Sequence, residues 1–172
     1  MTIEWLDQDE GIGTTRAGDL GGGLSSWLAL AAEEQPKDGT IEFVASTAAV
    51  DRMDDSIDQQ TWRLKNFRRN PVFLDGHRGN DVVGRIPKVG RTAAEDGTQQ
   101  LRIRVAFDES ELNPRGMLLA HQHRSGFRNG VSVGFLPGET ISRTKLAADH
   151  PLYVDPTVKS PWMAGYLFRH CD

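Results

Sequence analysis

Ser125-Gly126-Phe127-Arg128-Asn129-Gly130-Val131-Ser132-Val133-Gly134-Phe135 carries one small hydroxyl inside an alternating run. Alternation of apolar and small residues reads as a strand. On it Val131, Val133 and Phe135 share one face, and Ser132 lies on the other with Gly130 and Gly134. Glycines beside a serine leave open space where another backbone can approach. The run has a plain structural reading, a strand serine among turn-forming glycines, and a chemical one, a nucleophile that needs a base. Gly130 to Gly134 also fits G-x-S-x-G, the nucleophile elbow, which requires a strand before the serine and a helix after it. Here the order is reversed. Asn113-Pro114 is a helix start, with Asn as cap and Pro at the first helical position. Met117 to Ala120 follow, and Gly126 is a stop. Leu136-Pro137-Gly138 after the serine signals a turn. Helix, loop, then strand with serine excludes the α/β-hydrolase elbow.

Outward from this run, the 172-residue length points to one domain, and 38% hydrophobic residues suffice for a core. A net charge of −4 gives no general electrostatic case for nucleic acid or an anionic membrane. No apolar run is long enough to span a bilayer. Met1-Thr2-Ile3-Glu4-Trp5 does not read as a secretory signal. The single cysteine, Cys171, excludes an internal disulfide framework. The expectation is a soluble protein of a reducing compartment.

Residues 1–39 are poorly patterned and read as a flexible or peripheral arm, with a short helix over residues 24–32 and a linker over residues 33–39. Thr40 to Val50 reads as a strand with Ile41, Phe43 and Ala45 on one face. Four aspartates follow, Asp51, Asp54, Asp55 and Asp58, read as a solvated loop without the regular alternation of a calcium loop. Gln59 to Phe67 reads as a short helix with Trp62 and Phe67 inward, ended by Asn70-Pro71. Val72 to Leu74 is a strand that delivers the turn Asp75-Gly76-His77-Arg78-Gly79-Asn80. Val82 to Val89 is a strand with a bulge or close approach at Gly84. A hairpin turn over residues 93–98 leads to Gln99 to Phe107, a half-buried strand by alternation. Thr140 to Pro161 is irregular, and Trp162 to His170 holds a last strand. The class is mainly β with helices (α+β): a small β-barrel or curled sheet with two or three helices outside.

A neutral serine is a weak nucleophile, so it needs a base. Among five histidines His77 stands out, at the end of an apolar strand in a glycine-flanked turn. His121 and His123 lie two apart on the helix, point to different sides and read as surface or helix-end residues. His121, His123 and Cys171 match no zinc spacing.

Ser46 to Asp55, Trp62 to His77, Val83-Gly84-Arg85 and Gly126 to Phe135 together resemble the prohead (capsid maturation) serine proteases of tailed phages. That family carries an N-P-V-x-L-x-x-H block with its catalytic histidine and a G-x-S-x-G-F block with its catalytic serine. Here these fall on His77 and Ser132. The resemblance covers about Thr40 to Pro137. It implies a herpesvirus-protease-like fold, a barrel wrapped by helices, over residues 40–172. It also implies a serine endopeptidase without a cofactor or metal, acting in the host cytoplasm inside the immature capsid. The implied partners are capsid and scaffold proteins as substrates, with possible self-association. The family usually continues into an acidic E-x-S-x-V block, so the domain is expected to be cut short at its C-terminus. The third catalytic group is then His150, His170, Asp172 or a residue of that further block. Two rival functions stay open: a weak or inactive protease-fold module with an assembly role, and an esterase using the same serine.

Overall fold

The computed structural model describes residues 2–6, 12–16, 36 and 38–172. Strands β1 (Thr2–Leu6), β2 (Ile12–Arg16), β3 (Ile41–Thr47), β5 (Val72–Leu74), β6 (Val82–Ala93) and β7 (Gln99–Phe107) form one sheet. Its order is β2-β1-β6-β7-β3, and β5 pairs with the first part of the long β6. Strands β4 (Ser56–Ile57), β8 (Glu139–Ser142) and β9 (Tyr166–Arg169) form a second sheet in the order β4-β9-β8. Both sheets are open, so the expected closed barrel is corrected. Among the described residues β3 ends the large sheet with one ladder partner, and nothing closes it onto β2. The molecule is mixed α and β, mostly sheet, and its described residues hold one α-helix, α1 (Pro114–Arg124).

Alternation places the core. Ile41, Phe43 and Ala45 of β3 face inward with Ile86 and Val89 of β6 and Leu101, Ile103 and Val105 of β7. Each full burial of such a side chain contributes about 1.5–3 kcal/mol. On the other face of β7, Arg102 and Arg104 both reach Glu42 of β3, at 3.0 and 3.3 Å, which ties the edge strand in register. At Gly84 an added Cβ would stand 2.6 Å from the Ala106 oxygen, so the close approach expected there is present. Helix α1 starts as its sequence dictates: Pro114 opens it and Asn113 Oδ1 accepts from the Gly116 N–H at 3.0 Å. Gly126, with φ of +74°, stands just past its end. Leu119 and Ala120 are fully buried.

Two expectations change. Gln59 to Phe67 is not a helix but two 3-10 turns, Gln59–Thr61 and Phe67–Arg69. Between them the Arg63 N–H donates to the Cys171 oxygen at 2.8 Å, so a tertiary partner replaces the helical one. Trp62 is nonetheless buried. Within residues 1–39, β1 and β2 continue the sheet at its edge, β1 pairing with β6 from Glu4↔Arg91 to Leu6↔Val89. The short helix expected over residues 24–32 lies outside the described residues. The irregular stretch after Thr140 contains part of β8 and a 3-10 turn, Arg143–Lys145.

Candidate active site

The Ser132 segment is not the ladder strand expected from its pattern. Its alternation is kept: Val131, Val133 and Phe135 pack against the core, and Ser132 and Gly134 are exposed. Burial of one face therefore fixes the direction of the serine without a neighbouring strand. The segment is tied at its end, where Leu136 and Asp172 exchange main-chain bonds of 2.9 and 3.0 Å. Among the described residues, main-chain N–H groups from Val131 to Phe135 have no hydrogen-bond acceptor. Such free donors beside a nucleophile are what a developing oxyanion requires.

His77 reaches this segment from the turn after β5. Its Nε2 lies 2.7 Å from Ser132 Oγ, across 55 positions of chain. That is within the range for proton transfer from hydroxyl to imidazole. With Ser132 donating, Nε2 is the acceptor and the ring proton sits on Nδ1. His77 has φ of +59°, directly after Gly76 at +62°. A non-glycine residue in this region costs of order 1–3 kcal/mol and persists only when its surroundings impose it.

The surroundings do impose it. Asp75 N–H donates to the Asp81 oxygen at 2.9 Å, and Asp81 N–H to the Arg78 oxygen at 2.9 Å, closing the turn. Arg115, in the first turn of α1, holds the Asp75 carboxylate through Nε at 2.7 Å and Nη2 at 2.6 Å. Arg128, four residues before Ser132, stands 3.9 Å from the other Asp75 oxygen. One carboxylate thus braces the turn bearing the histidine to the helix and to the loop bearing the serine. Gly134 completes the fit, since a Cβ there would stand 3.3 Å from His77 Nδ1.

His121 and His123 were read as surface or helix-end residues, and both lie in the last turn of α1. His121 is exposed, but the His123 ring lies edge-on to Phe43 at 4.9 Å and tilted on Phe107 at 5.6 Å. Burial lowers its pKa from the ordinary histidine value, against the raising effect of its bond to the Arg128 oxygen. Neither Asp75 nor His123 carried a signal in the sequence that distinguished it from its neighbours.

The candidate third groups are placed elsewhere. His150 Nδ1 accepts from the Leu152 N–H at 3.1 Å. His170 is held through its own N–H by Thr61 Oγ1 at 2.9 Å. The Asp172 carboxylate accepts from Asn66 Nδ2. Among the described residues no carboxylate hydrogen-bonds to His77, and no group of three or more His, Cys, Asp or Glu is arranged to hold a metal ion. Cys171 is buried in the core, where burial raises its thiol pKa.

Ser132 forms part of the wall of a groove of about 450 Å³. That lies within the usual range of ligand sites, about 300–1,000 Å³. Val131, Val133 and Phe135 share its wall, and the end of β3, the loop after it and β4 face them. No protein family, curated protein or solved structure matches the chain. No helix among the described residues is long and apolar enough to cross a membrane.

Proposed function

We propose that the chain is a serine endopeptidase of the prohead maturation kind, with Ser132 as nucleophile and His77 as general base. The observation that carries the proposal is the 2.7 Å approach of His77 Nε2 to Ser132 Oγ at the mouth of an open groove. In this reading Ser132 Oγ attacks the scissile carbonyl while its proton passes to Nε2. The imidazolium then gives that proton to the leaving amine, and water hydrolyses the acyl-enzyme by the same route. Free N–H groups of the Ser132 segment receive the oxyanion. The resemblance in the His77 and Ser132 blocks makes scaffold and capsid-protein segments the substrates, inside the immature capsid. It also makes a herpesvirus-protease-like core, here with open sheets, the proposed fold relationship.

A second reading has its own observation. The Asp172 carboxylate is engaged by Asn66 and no acid orients His77 among the described residues. In a triad the third group fixes the tautomer and stabilises the imidazolium, and its loss in another serine protease costs about ten-thousand-fold. A dyad with slow turnover, or a protease-fold module acting in assembly, fits that arrangement.

The test is labelling with a fluorophosphonate and mapping of the modified residue by peptide mass. Labelling of Ser132 that disappears in both Ser132→Ala and His77→Ala supports the endopeptidase. An unlabelled Ser132 in folded protein removes it. Turnover of extended scaffold peptides against small esters then separates a peptidase from an esterase.

A further inference from the structure

The four aspartates after β3 have separate fates. Asp54 pairs with Lys159 Nζ at 2.6 Å and lies 3.9 Å from Arg143 Nη1. Asp58 meets Arg169 Nε at 3.3 Å. Asp51 and Asp55 instead form part of the groove wall that also contains Ser132, and neither has a cationic partner among the described residues. Each spends Oδ1 on the fold. Asp51 Oδ1 accepts from the N–H groups of Met53 and Asp55 at 2.8 and 2.9 Å, and Asp55 Oδ1 accepts from the Tyr166 N–H at 2.8 Å. The remaining groove residues are apolar or hydroxylic, with no lysine, arginine or histidine. The groove is therefore a slot of mixed apolar and hydroxyl lining that holds the candidate nucleophile and two solvated carboxylates with no cationic partner among the described residues.

A cation brought into that slot gains an ion pair with one or both carboxylates, whereas a neutral side chain gains none and an acidic one is repelled. Lysine also matches the apolar side of the slot, Ile57, Val131, Val133, Phe135 and Phe168, because its aliphatic stem covers apolar surface while its ammonium seeks the carboxylates. We propose that Asp51 and Asp55 determine substrate choice, selecting an extended peptide with a lysine or arginine close to the bond held at Ser132. This rests on the serine endopeptidase reading of the same groove.

The experiment uses the full chain and a positional library of extended octapeptides, with lysine, norleucine or glutamate placed in turn at each position. Cleavage is read with the native protein and binding with Ser132→Ala. The expected result is one position at which lysine exceeds norleucine by about tenfold, the size of a charge-assisted contact. That preference should shrink as salt is raised. In Asp51→Asn with Asp55→Asn the lysine-to-norleucine ratio should fall toward one. Asparagine keeps each Oδ1 acceptor, so the loop bonds have a replacement. Should that variant not fold, the salt dependence of the native ratio decides in its place. Equal use of lysine and norleucine at every position, or a preference for glutamate, overturns the proposal. Fluorophosphonate labelling of native protein is read in parallel. A labelled Ser132 without cation preference removes this inference alone. An unlabelled Ser132 with lysine-selective binding removes the endopeptidase reading and retains the acidic selection.

Discussion

His123 Nδ1 donates to the main-chain oxygen of Arg128 over 2.8 Å, so a ring wedged between Phe43 and Phe107 anchors the loop that leads to Ser132. The carbonyl can only accept, which fixes the proton on Nδ1. Replacing His123 by alanine removes this bond and two aromatic contacts. The expected cost is about 2 kcal/mol of stability, from roughly 1 kcal/mol for the bond and a similar sum for the rings. Urea melts measure it. Cleavage should fall as well, whereas exposed His121→Ala should leave both unchanged.

The same histidine makes stability depend on pH. Its folded pKa lies below the unfolded value of about 6.5. The unfolded chain therefore binds the proton more readily in the window below that value. This contribution is fully present above about pH 6.5 and is lost as pH falls toward the folded pKa. Melts of native protein and His123→Phe at pH 7.5 and below 6 should show the gap between them narrowing in acid. A constant gap would remove this histidine as the source.

Ser132→Ala should abolish fluorophosphonate labelling and peptide cleavage and leave the melting temperature within about 1 °C. The side chain is exposed, so no cavity forms, and such surface changes stay within about 0.5 kcal/mol. Normal processing by the folded variant would end the nucleophile assignment.

Asp75→Asn tests the brace. Arg115 and Asp75 are partly exposed, so the pair itself is worth under about 1 kcal/mol of stability. Its effect on the His77 turn should be larger, with turnover falling about tenfold or more and KM little changed, since misplacing a catalytic group acts on the reacting geometry. Steady-state kinetics on one peptide separate the two parameters. A rise in KM alone would make Asp75 a substrate contact instead.

Gly134→Ala places a Cβ 3.3 Å from His77 Nδ1, so the ring must give by a few tenths of an ångström. The expected outcome is normal stability with slower labelling of Ser132. Labelling at the native rate would show that the ring is free to yield.

Local chemistry was legible from the residues alone. The Asn113-Pro114 start of α1, the extent of β7 and the inward face of Val131, Val133 and Phe135 each depend on neighbours in sequence, and each is found as read. The pairing of His77 with Ser132 came from two family-like blocks, because no local rule connects residues 55 positions apart. Tertiary structure decided the rest. Arg63 gives its N–H to Cys171, which breaks the helix that residues 59–67 would otherwise form. Phe43 and Phe107 converge on His123 and half-bury a side chain that helical spacing alone placed at the surface or the helix end. Lys159 and Arg169, roughly a hundred residues along the chain, take up Asp54 and Asp58 and leave Asp51 and Asp55 to the groove. Periodicity and caps act over one or two turns of chain and can be read there. Which buried donor, ring or cation arrives from elsewhere is settled only when the chain closes on itself.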